Sequence, residues 1–420
     1  MRERKHSMRW QRQGLWKNPD FMKVWLSRTI SNLGNGITGI ALPVIAVQVL
    51  NATPAQMSIL SALNGMAVLL FGLIAGVWID RLRRRPVLIA TDLGRALVVG
   101  SIPVAALLGI LRIEQVYIVA ALSAILAVFF NAADVAFFPS LLQAQELVEG
   151  NSKLGMSDAL AEVGGPAVAG VLIQAISAPL SMIVDALSFL GSAFCLARIR
   201  KPELQPVPAK QRRSAWLEGI EGIRYVLKNP LLRTLAGSAG VFNFFGTFVG
   251  TFYTLYVIRT LGVTPIILGL LIAAGGLSAL VGAWLAERVV RHLGLGFTIG
   301  GGLFVYGLVG LLVPLARGPV SVIVAVLFAS QLVGDVAVSI HLITELSLRQ
   351  MLIPAHLAGR ANTAIQFLTL GVAPFGALLA GVIAEHVGVR FTLFIGVSGV
   401  IVAGLWLLLS PVRRVQAMES

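Results

Sequence analysis

Two carboxylates, Asp158 and Glu162, stand four residues apart in an otherwise apolar stretch of this 420-residue chain. That spacing puts them on one face of a helix, a turn apart. Carboxylates this close resist ionising together, so one of them can hold and exchange a proton. The alternative is a pair satisfied by an arginine such as Arg28 or Arg360. Asp335, in a later apolar run, is a second candidate proton carrier, with a packing role as its alternative. Asp134 and Glu345 lie toward the ends of their runs. Asp185 lies nearer the opposite end of its own, where water could reach it, and Asp92 has Arg95 three residues on as a partner. A charge in hydrocarbon costs at least ~2.5 kcal/mol, so each of these groups needs a partner, a wet cavity or a proton.

Uncharged polar residues recur at the same depth. Asn32, Asn35, Asn64, Asn131, Asn243, Gln331 and Gln366 are candidates for lining a central cavity, and each could equally make a single interhelical hydrogen bond. Phe242, Phe244, Phe245, Tyr253 and Tyr256 share one run, as an aromatic cavity wall or as core. His341 is a proton relay or a packed histidine.

The elements that position these residues follow from composition. The chain is 57% hydrophobic and 12% charged, with a mean hydropathy of +0.86. A membrane-crossing helix needs about 20 apolar residues. About twelve such runs are expected: 22–50, 55–79, 86–111, 115–143, 152–177, 179–198, 231–258, 265–287, 295–315, 320–345, 359–384 and 389–410. They divide the chain into a basic tail (1–21), a six-span half (22–198), a linker (199–230), a second six-span half (231–410) and a short tail (411–420). The linker opens on Pro202, Pro206 and Pro208. Its second part, from Ser214 to Lys228, has the period of an amphipathic helix lying on the membrane surface.

The formal charge is +14, from 33 Lys+Arg against 19 Asp+Glu. Lys and Arg accumulate in cytoplasmic loops. With the N-terminus inside, the inner loops take Arg81, Arg83, Arg84, Arg85, Lys153, the linker, Arg288, Arg291, Arg349, Arg360, Arg413 and Arg414. The outer loops keep only Arg112, Arg259, Arg317 and Arg390. Topology and anionic lipid explain the charge, and a nucleic-acid partner is unnecessary. Both termini are expected in the cytosol, in a cytoplasmic membrane. The one cysteine, Cys195, rules out an intrachain disulfide.

The halves repeat. A shift of 207 aligns Asp80, Arg81 and Arg84 with Glu287, Arg288 and Arg291. A shift of 211 aligns Asp134 with Glu345, Asn151 with Asn362, Gly165 with Gly376 and Gly170 with Gly381. Many secondary transporters are built this way, with the substrate site between repeats. Asp158 and Glu162 align with Thr369 and Ala373, so the carboxylate pair belongs to one half alone.

Five stretches carry a family likeness. Gly76, Asp80, Arg81, Arg84 and Arg85 resemble the cytosolic signature of the major facilitator superfamily, with Arg83 where the pattern has glycine. Physically, Gly76 permits close helix contact, Asp80 can accept from a neighbouring helix N-terminus and Arg84 can pair with a carboxylate. Together they make a cytosolic gate latch that Glu287 and Arg291 repeat, with Asp134 and Glu345 as partners of Arg84 and Arg291. The alternative is that these arginines only enforce topology. Gly164, Gly165, Pro166 and Gly170 predict a helix kink or tight crossing. They also resemble the antiporter motif of that superfamily, with Ala161 and Ala169 in glycine positions. Asp185 to Phe189, Glu221 to Tyr225 and Arg360 to Asn362 are similar to the subgroup of enterobactin exporters and macrolide efflux proteins. The resemblance implies an all-α fold of two pseudo-symmetric six-helix halves and a drug/proton antiporter.

No phosphate-cradling loop, His-Glu-x-x-His or Gly-x-Ser-x-Gly is present, so neither an enzyme nor a nucleotide-driven pump is expected, and no metal or cofactor. The expected function is proton-coupled efflux of an amphipathic small molecule by a monomer, its partners being that molecule, protons and the bilayer. A lipid or lysolipid transporter on the same fold, or a non-transporting receptor or scaffold, are the alternatives.

Overall fold

In the computed structural model of the protein the described residues are 14–79, 81–201, 203, 215–354 and 357–415. They form twelve helices long and apolar enough to cross a membrane. These are α1 (Pro19–Val49), α2 (Pro54–Ile79), α3 (Arg84–Leu107), α4 (Ile113–Leu141), α5 (Leu147–Ile176) and α6 (Ala178–Ala197). After the linker helix α7 (Ala215–Lys228) come α8 (Pro230–Thr260), α9 (Pro265–Leu293), α10 (Leu295–Leu315), α11 (Val320–Leu352), α12 (Ala358–Val387) and α13 (Val389–Leu409). The twelve expected runs thus appear as twelve helices; α9 and α11 continue several residues past their apolar windows because their last turns carry charges that reach water.

The chain divides into two compact units. One comprises Met1–Ala41, Leu70–Leu111 and Ala121–Pro208. The other comprises Leu42–Leu69, Arg112–Ala120 and Ala209–Ser420. In the first, Phe21, Ile79, Leu88, Phe137 and Leu196 are among the buried residues of one core. In the second, Leu235, Ile299, Leu303, Val400 and Leu407 pack together, and a satellite core joins Val226 of α7 to Leu232 and Ile365.

The linker helix has a protein partner as well as exposed apolar positions at Ile220 and Leu227. It docks on protein: Gly222 lies against the Arg360 backbone, the Tyr225 hydroxyl donates to Leu352 O at 3.1 Å, and Arg360 pairs with Glu221 at 3.0 Å. Gly222 has no side chain to hold the backbones apart, which is why this face meets α12 rather than lipid.

The repeat is written into the backbone. Asn18 and Asn229, 211 apart, each cap a helix that opens on proline, their Oδ1 atoms accepting from two backbone amides. Both α1 and α8 end in a five-residue π turn, Ile45–Val49 and Tyr256–Thr260. Each is followed by a left-handed residue, Asn51 (φ 50°) and Gly262 (φ 70°). The turn before α6 places Ser177 at φ 92°, and the turn before α13 places Gly388 at φ 85°.

Candidate functional site

In the first unit, α1 brings Arg28 and Asn32 to one face, a turn apart, and both reach α5. The Arg28 guanidinium bridges two carboxylates. It meets Asp134 Oδ2 at 2.9 Å through Nη1, and grips Asp158 with Nη2 at 2.9 Å and Nε at 3.2 Å. Asn32 Nδ2 donates to Asp158 Oδ1 at 2.7 Å. Of the two readings open for Asp158, the arginine partner is the one realised. Glu162, a turn along the same face, is exposed and makes no hydrogen bond or ion pair among the described residues. One guanidinium therefore bridges two carboxylates, with the unpaired Glu162 a turn further along α5. Pro166 lacks an N–H, so the carbonyl of Glu162 also loses its usual helical donor.

The glycines explain how α1 and α5 come this close. A Cβ on Gly165 would meet Gly36 Cα at 3.0 Å and Leu33 O at 3.3 Å. α5 stays helical through Pro166, so Gly165, Pro166 and Gly170, all buried, serve a tight crossing. In the second unit Gly376 packs on the Phe244 backbone at the corresponding place, 211 residues on. There the counterparts of Arg28 and Asp158 are Ala239 and Thr369. Asn243, the counterpart of Asn32, donates to Ala239 O at 2.8 Å, and Thr369 to Ile365 O at 2.8 Å.

A second polar group in the first unit is fully buried. Arg95 donates to Asp92 at 2.7 Å, as its spacing predicts, and its guanidinium lies 4.5 Å and 4.3 Å from the Phe130 and Phe189 rings. Ser192 donates to Asp92. Asp185 accepts from Thr38 and Ser188. The expectation that water reaches Asp185 is corrected: it has no accessible surface, because Gly34 lets α1 press directly over it. Asn35 is exposed, with its Oδ1 3.4 Å from Arg95. Asn131 is exposed too.

In the second unit Gln331 donates to Asp335 one turn along α11, and both sit against Gly275 of α9. The Tyr253 hydroxyl is buried with no hydrogen-bond partner among the described residues. Phe244 stacks edge-on with Phe245, ring centres 5.2 Å apart; Gln366 is exposed. His341 is 3% exposed and bonds Ile299 O at 2.8 Å, the arrangement of a packed histidine.

The gate residues are arranged otherwise than expected. Asp80 lies outside the described residues. A Cβ on Gly76 would meet nothing within 4 Å, so the close helix contact is absent there. Asp134 pairs with Arg28 and Glu345 with Arg349 at 2.6 Å, in place of Arg84 and Arg291. Glu203 instead accepts from the backbone amides of Arg84 and Arg85 at 2.6 and 3.2 Å, capping α3. Arg81 is exposed. Glu287 and Arg291 form a surface pair at 3.7 Å, and such pairs contribute little. The physical reason is reach: a partner one helical turn away, or facing across a glycine crossing, outcompetes one in the next loop.

Arg259 is a residue the sequence marks only as an outer-loop cation. From the π turn of α8 it donates to Ala52 O at 2.9 Å and Val47 O at 2.8 Å, tying α8 to the α1–α2 turn. Thr251 bonds Ser61 at 2.8 Å, and Gly65 lies against Pro374. The signal was present: within the 211-residue repeat Arg259 stands where the first half has Gln48.

Residues 24–375 match the Major Facilitator Superfamily. The chain belongs to that superfamily. This superfamily member is 27% identical over 390 residues to an MFS-type transporter, YfiS, of Bacillus subtilis (strain 168), covering 91% of each chain. It is 27% identical to the multidrug efflux pump Tap of Mycolicibacterium fortuitum, covering 90% of this chain and 92% of that one. To the enterobactin exporter EntS of Salmonella typhi it is 23% identical, over 66% of this chain and 65% of the exporter. Its fold matches a bacterial homologue of the iron transporter ferroportin (TM-score 0.70, 19% identity, 93% and 98% covered). It also matches a nucleoside transporter (TM-score 0.76, 10% identity, 93% and 99% covered). The protein is a multi-pass membrane transporter with the all-α fold of its superfamily, and relatives of it are efflux pumps.

Proposed function

We propose that the protein exports an amphipathic small molecule in exchange for protons, by alternating access, as a monomer in the cytoplasmic membrane with both termini in the cytosol. The observation that carries this reading is Glu162, an exposed carboxylate with no partner among the described residues, one turn from Asp158, whose cation Arg28 is already shared with Asp134. At membrane depth such an excess of negative charge draws in a compensating cation, either a proton or the positive end of a substrate. Glu162, which has no partner, is the site of exchange. Asp158 relays the change to Arg28 and so to α1, and Asp335 is a second carrier. The two compete for one charge, which is what makes the exchange obligatory. Asn32, Asn35, Asn131, Asn243, Gln331 and Gln366 offer hydrogen bonds to the substrate, and Phe244 and Tyr253 aromatic surface. Arg259 holds the outer side shut. The superfamily's efflux relatives support the export direction.

The test is reconstitution. Proteoliposomes with an imposed pH gradient are expected to move a fluorescent cationic amphiphile such as ethidium, or another member of a panel that includes siderophores and lysolipids. Glu162→Gln is expected to cut gradient-driven flux at least about tenfold, the loss of ~1.4 kcal/mol of coupling, while leaving gradient-independent binding intact. If no compound responds to the gradient and Glu162→Gln changes nothing, proton coupling is wrong. Gradient-driven flux of lysolipid alone would favour the lipid-transporter alternative.

A further inference from the structure

Four arginines stand on the side of the membrane that carries few, and two of them converge. The α10–α11 turn, the end of α12 and the start of α13 border an open cavity of about 440 Å³ lined by Leu315, Arg317, Val387, Arg390, Phe391 and Phe394. No carboxylate lines it. Arg390 Nε donates to Pro314 O at 2.7 Å, which fixes the plane of the guanidinium and leaves its two terminal nitrogens uncommitted. Arg317 makes no hydrogen bond or ion pair among the described residues. The Tyr256 hydroxyl also donates to Pro314 O, at 3.4 Å, and Arg317 lines the same cavity as Arg390.

The scaffold does not demand these charges. Arg390 and Phe391 correspond, 211 residues back, to Pro179 and Leu180. Gly318 (φ 111°) and Gly109 (φ 68°) mark the same turn in each half, and Arg317 then falls where Leu108 stands. The first half closes this corner with apolar side chains. The second half spends two cations there, although outer loops otherwise avoid them.

Leu315, Val387 and Phe391 are each more than half exposed, so the cationic site opens onto apolar surface. A neutral ligand would leave two guanidinia without a counter-charge, and a zwitterionic headgroup would bring its own cation against them. A phosphodiester fits, because planar guanidinia take phosphate oxygens in pairs.

We infer that this cavity binds the headgroup of an anionic glycerophospholipid, its phosphate between Arg317 and Arg390 and its acyl chains along Leu315 and Phe391. That the lipid belongs to the outer leaflet rests on the orientation proposed above; binding itself can be measured without it. Native mass spectrometry of the full chain in detergent, titrated with phosphatidylglycerol or phosphatidylcholine, tests the site. The anionic lipid is expected to be retained preferentially. The double variant Arg317→Gln/Arg390→Gln is expected to weaken its retention about tenfold, as loss of charge-assisted bonds should. Arg112→Gln, an outer-loop cation outside the cavity, is expected to leave it unchanged, and Arg317→Lys, which keeps the charge but loses the paired geometry, to retain only part of it. Unchanged retention in the double variant, equal retention of phosphatidylcholine, or displacement by inorganic phosphate alone would overturn the proposal. If the double variant does not fold, Arg317→Gln and Phe391→Ala singly are each expected to weaken binding; no change in either is equally decisive. None of these outcomes depends on transport or on protons.

Discussion

Ser177 holds a backbone conformation, φ 92° and ψ 157°, that is open to glycine and closed to almost everything else. Its counterpart in the second half, Gly388, adopts φ 85° and ψ 154° without a side chain to strain. Ser177→Gly is therefore expected to stabilise the protein by about 1 kcal/mol, seen as a higher melting temperature in detergent. Asn51, at φ 50°, is a milder case, since asparagine tolerates the left-handed region. Arg28 is the residue with most depending on it. Arg28→Gln leaves Asp134 and Asp158 together without their cation, and a loss of about 1–3 kcal/mol is expected. Arg28→Gln/Asp158→Asn is expected to recover part of that loss, which a double-mutant cycle measures.

Partner choice is where reading from sequence gave out. Asp158 and Glu162 are legible as an anomaly because an apolar helix has no use for them. Which cation meets them is not, since Arg28 lies 130 residues from Asp158 and only the crossing of α1 and α5 at Gly36 and Gly165 brings it near. Asp185 shows the same limit: position along the span implied water, and the glycine on a neighbouring helix decided against it.

At the scale of elements, the twelve spans were readable from apolar length alone, because a bilayer imposes both length and helicity. Their long last turns were not, as charged tails blur the apolar window. The two π turns and the caps at Asn18 and Asn229 were open to anyone aligning the chain on itself at 211. Arg259 sits on one of those turns and binds two carbonyls, Val47 O and Ala52 O, that no other described side chain satisfies. Arg259→Ala is expected to loosen this junction. A cysteine at Ser61, in a Cys195→Ser background, should then react several-fold faster with a membrane-impermeant thiol reagent; an unchanged rate would show that Arg259 does not hold the side shut. Gly376→Leu should be more damaging than Gly39→Leu, since the first meets the Phe244 backbone and the second meets nothing within 4 Å.

For the whole molecule, orientation is the statement most exposed to test. Cysteines placed at Gly318 and at Arg413 should label from opposite sides of intact cells, Gly318 from outside. The reverse pattern would invert every assignment of inner and outer made above. The two halves share their caps, turns and glycine crossings, and differ in what fills them. Where the first half buries Asp92, Arg95 and Asp185, the second places Ile299, Gly302 and Gly396, with Phe245 lying against Gly399. At these matched positions the first half uses directional bonds and the second small residues and a ring, a difference no composition count distinguishes.

The counterpart of α5 adds a mechanical consequence. α5 is one unbroken rod of 30 residues, whereas α12 is interrupted at Gly371 and Val372, just ahead of Pro374. A continuous helix is a stiffer path than a jointed one, so a shift at Asp158 is expected to reach further along α5 than an equivalent shift would along α12. An elbow absorbs it: the segments on either side of Gly371 can swing independently, and force applied at one is lost at the joint. The first bundle is thus built as a lever and the second as a wrist, from what was once a single blueprint.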